Sequence, residues 1–77
     1  MRQSERPQPA LGKAVRELRD KRGLTQEELA ETAGLTGRTM SAIETGNANP
    51  TWATVRDIAA ALGVSISELA KRAEKHE

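Results

Sequence analysis

The chain has 77 residues and a mass of 8.3 kDa, which limits it to one small domain. It contains no Cys, Phe or Tyr, and Trp52 is its only aromatic residue, so a disulfide scaffold and a Cys-ligated zinc site are excluded. The net charge is +1, but residues 1–22 carry seven basic and three acidic side chains, against five and eight in residues 23–77. This asymmetry fits a polyanionic partner near the N-terminal part, and it equally fits a solvated surface of mixed charge.

The first predicted elements are an N-terminal arm and an amphipathic helix. Residues 1–9 contain two prolines and no large apolar residue after the initial Met, and we expect them to form a flexible arm. In residues 10–22 the apolar positions recur with the i, i+3, i+4, i+7 spacing of a helix that packs on one face. They are Leu11, Ala14, Val15 and Leu18. Gly23 is then a natural helix stop.

Two short helices follow, each with a capping residue at its start and a glycine at its end. Thr25 and Glu28 form a predicted capping box, in which each side chain bonds the backbone N–H of the other. This second helix ends at Gly34. Thr36 caps the third helix, which ends at Gly46.

Two further helices complete the predicted domain. Thr51 caps the fourth helix, and a glycine ends it. Its predicted inward residues are Trp52, Val55, Ile58, Ala59 and Leu62. The fifth helix, residues 66–74, begins with a second predicted capping box of Ser65 and Glu68. The polar tail, residues 75–77, is expected to fray.

The sequence therefore predicts an all-α domain of five helices over residues 10–74, since no segment alternates with the period of a strand. Its second and third helices are joined only by Ala33–Thr36, the length used in helix-turn-helix pairs. Such helices cross steeply, so a small residue is needed at the crossing, where we place Ala30. Gly34 supplies the positive φ of the turn. The inward residues of this unit are Leu29, Leu35, Met40 and Ile43.

Several segments of the chain match one known family. They are Leu11-Gly12, Val15–Arg19, Gly23–Ala30, Ala33–Thr36, Ile43–Gly46, Asn49–Thr51, Ile58-Ala59 and Ala61–Val64. Together they resemble the Cro/repressor-type, or XRE, helix-turn-helix family of phage and bacterial regulators. The resemblance implies a five-helix bundle like that of lambda repressor. It also implies a sequence-specific regulator of transcription, a repressor or a controller, that binds double-stranded DNA.

In this family the third helix lies in the major groove, so the resemblance assigns DNA contacts to exposed positions in residues 37–45. Arg38 is expected to be the main base-reading residue, because its guanidinium can bond O6 and N7 of one guanine together. Ser41 is expected to donate to a base edge, Ala42 to touch a thymine methyl, and Gly37 to allow close approach. The alternative for Arg38 is an exposed charge that only aids solubility.

The resemblance also assigns a phosphate contact to Gln26, at the start of the second helix, where free N–H groups attract anions. The alternative is an ordinary polar residue of a first turn. Further expected phosphate neighbours are Thr36, Thr39, Thr45 and Asn47, all of residue types that are also common caps. Arg19 and Glu44 match two positions that form a buried ion pair in the family, and we expect them to join the first helix to the third.

The sequence departs from the family pattern in ways that reduce its expected DNA contacts. Many relatives carry Arg or Lys in the loop after the third helix, where this chain has Thr45, Asn47, Ala48 and Asn49. Arg2 and Arg6 would compensate if the arm entered a minor groove, although a disordered tail is the simpler expectation. Glu27, Glu28 and Glu31 make the second helix acidic, and we expect this face to point away from DNA.

Two other classes of function are open to a chain of this size. An enzyme is not expected, because His76 is the only histidine, Cys is absent and no phosphate-binding glycine loop occurs. No catalytic residue, metal or cofactor is therefore predicted. The remaining alternative is a protein–protein interaction module on the same fold, antitoxin-like or coactivator-like, with weak or no specific DNA binding.

The expected partners are a double-stranded DNA operator and a second copy of the chain, with a cognate protein partner left open. One helix-turn-helix supplies few base contacts, which favours a homodimer on half-sites about 34 Å apart. The candidate interface is Ile66, Leu69, Ala70 and Ala73, residues that equally well cap the monomer core. Because no signal peptide and no apolar run of about 20 residues is present, we expect a cytoplasmic protein without a membrane partner.

Overall fold

The computed structural model describes residues 8–77 as five α-helices joined by short loops, with no strand in this range. The helices are α1 Pro9–Lys21, α2 Gln26–Ala33, α3 Gly37–Glu44, α4 Trp52–Leu62 and α5 Ile66–Glu74. The predicted all-α fold of five helices is confirmed. The predicted arm lies almost wholly outside the described residues, as do Arg2 and Arg6. No helix in the described part is long and apolar enough to cross a membrane.

The helices begin where their capping residues predict. The Thr25 hydroxyl accepts a hydrogen bond from the Glu28 N–H at 3.0 Å, and the Glu28 carboxylate accepts one from the Thr25 N–H at 2.8 Å. These two bonds complete the capping box of α2. The hydroxyls that cap α3, α4 and α5 are those of Thr36, Thr51 and Ser65. The second predicted box is half formed, since within residues 8–77 the carboxylate of Glu68 returns no bond to Ser65.

The capping box of α2 makes the stability of the protein depend on pH. The hydrogen bond from the Thr25 backbone N–H, helped by the Thr25 hydroxyl, lowers the pKa of Glu28 below its ordinary value. Such a carboxylate stabilises the fold above its unfolded-state pKa of about 4.3 and loses that contribution as the pH falls through the lower folded-state value. We expect Glu28→Ala to lower Tm at neutral pH, and the deficit to shrink near pH 3. Thermal melts of both proteins measure this, and an equal deficit at both pH values contradicts it.

The apolar faces of all five helices meet in one core. Helix α1 packs against α5 and α3, while α2 packs against α3 and α4. The buried apolar residues are Ala14, Val15, Leu18, Leu29, Ala30, Ala33, Met40, Ile43, Ile58, Ala59, Leu62 and Leu69. Leu11 and Leu35 are half-buried at the edge of this core. The predicted apolar faces of the first three helices therefore point inward as expected.

Trp52 does not belong to the core, and the prediction that it points inward is wrong. Its residue surface is 62% exposed. Trp52 is the first residue of α4, and Val55, one turn further on, is only half-buried. The apolar stripe of α4 thus leaves the core at this end, so the spacing that places Ile58 and Leu62 inside fails for the first turn.

The exposure of Trp52 leads to a contrast between two residues of α4. Trp52→Ala is expected to change the free energy of unfolding by less than about 1 kcal/mol, because little buried surface is lost. Leu62→Ala, at a side chain that is 1% exposed, is expected to cost about 2–5 kcal/mol through lost burial and a cavity. Urea unfolding followed by circular dichroism measures both. Equal losses would show that Trp52 is part of the core.

Helix α5 contributes one buried residue, Leu69, to the core. Leu69 is 1% exposed, Ile66 and Ala73 are half-buried against the core, and Ala70 is exposed. For Leu69 the structure therefore favours the alternative that it covers the monomer core, because its side chain is buried in its own chain. Of the four predicted interface residues, Ala70 is the one with a fully exposed position.

Helix α5 ends at Glu74, and His76, in the tail that is expected to fray, contacts α1. The Nε2 atom of His76 lies 3.4 Å from Oε1 of Glu17, and Nη1 of Arg72 lies 3.4 Å from the same oxygen. The backbone N–H of His76 also donates to the Ala73 carbonyl at 2.9 Å. One carboxylate oxygen of Glu17 in α1 thus contacts the side chains of two residues near the C-terminal end of the chain.

Candidate nucleic-acid interface

The turn between α2 and α3 has the geometry that the sequence predicts. Gly34 ends α2 with φ +75°, in the left-handed region that glycine adopts without strain. The Leu35 N–H donates to the Ala30 carbonyl at 2.8 Å, which closes the turn. Ala30 is 2% exposed, as expected for a small residue where two helices cross. The relative placement of α2 and α3 is therefore fixed by backbone bonds and close packing.

Helix α3 has one buried and one accessible side. Met40, Ile43 and Glu44 are buried against the other helices. The other side carries the residues predicted to contact DNA. Of these, Gly37, Arg38, Thr39 and Thr45 are exposed, while Ser41 and Ala42 are half-buried. The structure thus brings the predicted base-reading residues together on one short helix.

Arg38 is the one basic residue of α3. It is the single Lys or Arg between Gly23 and Val55, and it is exposed. Within residues 8–77 it forms no ion pair or side-chain hydrogen bond, so its guanidinium is available to a ligand. A free guanidinium at the start of an accessible helix suits a planar acceptor pair such as a guanine edge.

The hydroxyl and amide groups around α3 bond to one another and to nearby carbonyls. The Thr36 and Thr39 hydroxyl oxygens are 3.0 Å apart, and the Thr39 N–H donates to the Thr36 hydroxyl at 3.1 Å. At the other end, the Thr45 hydroxyl donates to the Ser41 carbonyl at 2.9 Å, and Asn47 Nδ2 donates to that hydroxyl at 3.3 Å. These bonds hold exposed polar groups in fixed positions at both ends of the helix.

A network below α3 connects it to α1 and α2. Arg19 donates to Glu44 through Nε at 2.7 Å and through Nη2 at 3.0 Å, while its Nη1 donates to the Leu24 carbonyl at 2.9 Å. The side chains of Arg19 and Glu44 are 12% and 3% exposed. The hydrogen bond to Glu44 raises the pKa of the Arg19 guanidinium above its usual value. The two residues expected to form an ion pair therefore lie in bidentate contact.

Gln26 takes part in the same network, which sequence reasoning did not anticipate. Its Nε2 donates to Oε1 of Glu44 at 3.1 Å, so one carboxylate serves both α1 and α2. A primary amide has two N–H donors, and this bond uses one of them. The contact joins residues 18 positions apart, and no local sequence pattern predicts it.

The described residues hold no group of three or more His, Cys, Asp or Glu side chains placed to bind a metal ion. The network of Arg19, Gln26 and Glu44 has its polar atoms bonded to one another and is closed to solvent around Glu44.

This arrangement of α2, turn and α3 defines a helix-turn-helix domain. A family model described as "Helix-turn-helix domain" matches residues 10–72, and the chain belongs to that family. The resemblance to Cro/repressor-type regulators is confirmed by the relatives that the chain matches.

Three of these relatives cover most of the chain. The chain is 42% identical to y4dJ, an uncharacterized HTH-type transcriptional regulator of Sinorhizobium fredii, over 59 residues that make up 77% of each protein. The crystal structure of the clp gene regulator ClgR from C. glutamicum aligns over 90% of both chains, with a TM-score of 0.86 and 29% identity. The restriction-modification controller protein C.AhdI from Aeromonas hydrophila aligns over 79% of this chain and 92% of its own, with a TM-score of 0.77 and 34% identity.

Proposed function

We propose that this protein is a transcriptional regulator that binds double-stranded DNA and reads the major groove with α3. The observation that carries the proposal is the accessible side of α3, where Arg38 is exposed and has no partner among residues 8–77, on a helix whose other side is buried in the core. A major groove about 12 Å wide admits such a helix. The names of its relatives, regulators and a controller, favour this function over a protein-interaction module.

Arg38 is proposed as the residue that discriminates bases, through two parallel bonds to O6 and N7 of a guanine. Ser41 and Ala42 lie three and four positions further on, one helical turn away, and are half-buried. They would therefore meet neighbouring bases by their small exposed parts, a hydroxyl and a methyl group. Gly37 adds no side chain that would hold the start of α3 away from the DNA.

Neutral donors rather than cations are proposed to make the phosphate contacts near α3. Gln26 is held by Glu44 through one N–H and would present the other to a phosphate beside the start of α2. Thr36, Thr39, Thr45 and Asn47 are the further proposed phosphate neighbours. With Arg38 as the single Lys or Arg between Gly23 and Val55, we expect binding of moderate strength.

A second copy of the chain is proposed as a partner on DNA. A domain whose longest dimension is 34 Å, carrying one eight-residue reading helix, contacts few base pairs. Two copies on symmetric half-sites would double those contacts. The half-buried Ile66 and Ala73 and the exposed Ala70 remain the proposed interface on α5. Since a DNA-binding regulator acts where the DNA is, we propose that the protein lies in the cytoplasm.

A salt titration tests the proposed function. Affinity for a labelled duplex, enriched by the protein from a random pool, is measured at several salt concentrations and compared with a scrambled duplex of the same composition. We expect affinity for both to fall as salt rises, because phosphate contacts release counterions, while the preference for the enriched duplex persists. Undetectable binding to either duplex at about 50 mM salt would overturn the proposal.

A further inference from the structure

Gly12 lies at a very close approach between α1 and α3. It is buried, and a Cβ atom built on it would lie 2.3 Å from the carbonyl oxygen of Ile43 and 2.7 Å from that of Glu44. Both oxygens belong to the backbone, which cannot rotate aside as a side chain does. Any larger residue would have to open the first distance towards the 3.4 Å of ordinary contact, a shift of about 1 Å.

The local structure of α1 does not explain this glycine. Gly12 is the fourth residue of the helix, and glycine is less favourable than alanine inside a helix because it loses more conformational freedom on folding. Its φ is not in the left-handed region, so alanine would fit the backbone of α1 itself. What the glycine provides is the short distance between the two helices.

Other contacts hold the same end of α3 against α1. A Cβ atom at Gly46, just beyond α3, would lie 2.7 Å from Cα of Pro9, the first residue of α1. Further along α1, Arg19 bonds both carboxylate oxygens of Glu44. The C-terminal end of α3 is thus seated on α1 at three places, with Gly12 between the other two.

We propose that Gly12 is a positioning residue for DNA recognition, an inference that rests on the proposed function. Backbone contact at Gly12 sets how far α3 projects from the core, and so how far Arg38 reaches into the groove. With eight residues, α3 is about 12 Å long. A shift of about 1 Å at one end lifts or tilts the whole helix, whereas hydrogen bonds to bases span only about 2.7–3.2 Å.

The test compares Gly12→Ala with Leu69→Ala, a core truncation on α5, a helix that packs mainly against α1. Both variants are studied at a temperature where circular dichroism shows complete folding. Affinity is measured for the duplex enriched by wild-type protein and for its scrambled version. We expect Gly12→Ala to lose about tenfold or more of the preference for the enriched duplex. Leu69→Ala should keep the wild-type preference once it is folded.

A readout without DNA accompanies the binding data. In ¹H–¹⁵N spectra of Gly12→Ala, we expect the amides of residues 37–44 to shift, while those of residues 66–74 keep their positions. Fully folded Gly12→Ala with the wild-type preference, or with unshifted amides in α3, overturns the proposal. So does an equal loss of preference in Leu69→Ala.

Failure of Gly12→Ala to fold is also decisive. If the variant is unfolded in buffer, all proteins are compared in the osmolyte trimethylamine N-oxide, which favours the folded state. A variant that stays unfolded there overturns the proposal, since Gly12 would then be required for the fold as a whole. If wild-type protein itself shows no preference between the duplexes, the proposed function fails. The amide shifts then test by themselves whether Gly12 sets the position of α3.

Discussion

Replacing Glu44 by alanine is expected to lower the free energy of unfolding by about 3–5 kcal/mol. The carboxylate of Glu44 is 3% exposed and accepts bonds from both Arg19 and Gln26. Its removal would leave the guanidinium of Arg19, 12% exposed, with the solvent-exposed carboxylate of Asp20, 3.4 Å away, as its remaining ion-pair partner within residues 8–77. Since small domains are stable by only about 5–15 kcal/mol, a large part of the stability would be lost. Urea unfolding followed by circular dichroism measures the change.

Two further variants separate a buried ion pair from a general effect of losing a carboxylate. Glu31→Ala removes an exposed carboxylate from α2 and is expected to change the free energy of unfolding by about 0.5 kcal/mol or less. The double variant Arg19→Met, Glu44→Leu removes both charges and should recover most of the loss. If Glu44→Ala were no more destabilising than Glu31→Ala, the network would have no role in holding α3.

Replacing Arg38 by alanine is expected to weaken binding to the enriched duplex by about 1–3 kcal/mol, or roughly five- to 150-fold. The side chain is exposed and unpaired within residues 8–77, so its loss should leave the fold intact. Because the proposed contact is to a base, affinity for a scrambled duplex should change much less. Fluorescence anisotropy with labelled duplexes, at one fixed salt concentration, gives both affinities.

Matched variants show whether the guanidinium acts by geometry or by charge. Arg56→Ala removes an exposed Arg from α4 and should leave the preference for the enriched duplex unchanged. Arg38→Lys keeps the positive charge but cannot make the paired bonds, so it should retain non-specific affinity and lose preference. Equal weakening of enriched and scrambled duplexes in Arg38→Ala would mean that Arg38 contacts phosphate only.

The parts of the structure that the sequence predicts well are set by residues close in the chain. The Thr25 capping box and the left-handed Gly34 depend on backbone groups within a few positions. The periodic apolar positions of α1 to α3 likewise follow from the helical repeat alone. The same apolar spacing predicts that Arg38 lies on the accessible side of α3, because Met40 and Ile43 mark the buried side.

The sequence does not predict the surroundings of residues that depend on packing between segments distant in the chain. Trp52 follows the apolar spacing of α4, but at its end of the helix the core has already ended. The apolar spacing around Leu69 is the same whether this residue covers the chain's own core or contacts a partner. In the structure α5 packs against α1, and Leu69 is buried. The His76 ring contacts the carboxylate of Glu17, which is 59 positions away in the sequence. No local pattern carries these contacts.

The candidate DNA-binding site also combines features that the sequence predicts with features that depend on long-range contacts. Its base-reading residues follow from one short helix, whereas its support comes from long-range contacts of Glu44 and Gly12. The bond from Gln26 gives Glu44 a part in positioning a proposed phosphate donor as well as in stability. Changes below α3 are therefore expected to alter DNA binding without touching an exposed residue.

The most direct test of the central claim, that α3 reads DNA by sequence, is selection of bound duplexes from a random pool by the wild-type protein and by Arg38→Ala. We expect the wild-type protein to enrich a two-fold symmetric motif with half-sites about 34 Å apart, each containing a guanine. With Arg38→Ala, the preference for that guanine should disappear while the remaining motif weakens less. A wild-type selection that enriches no motif would contradict the account.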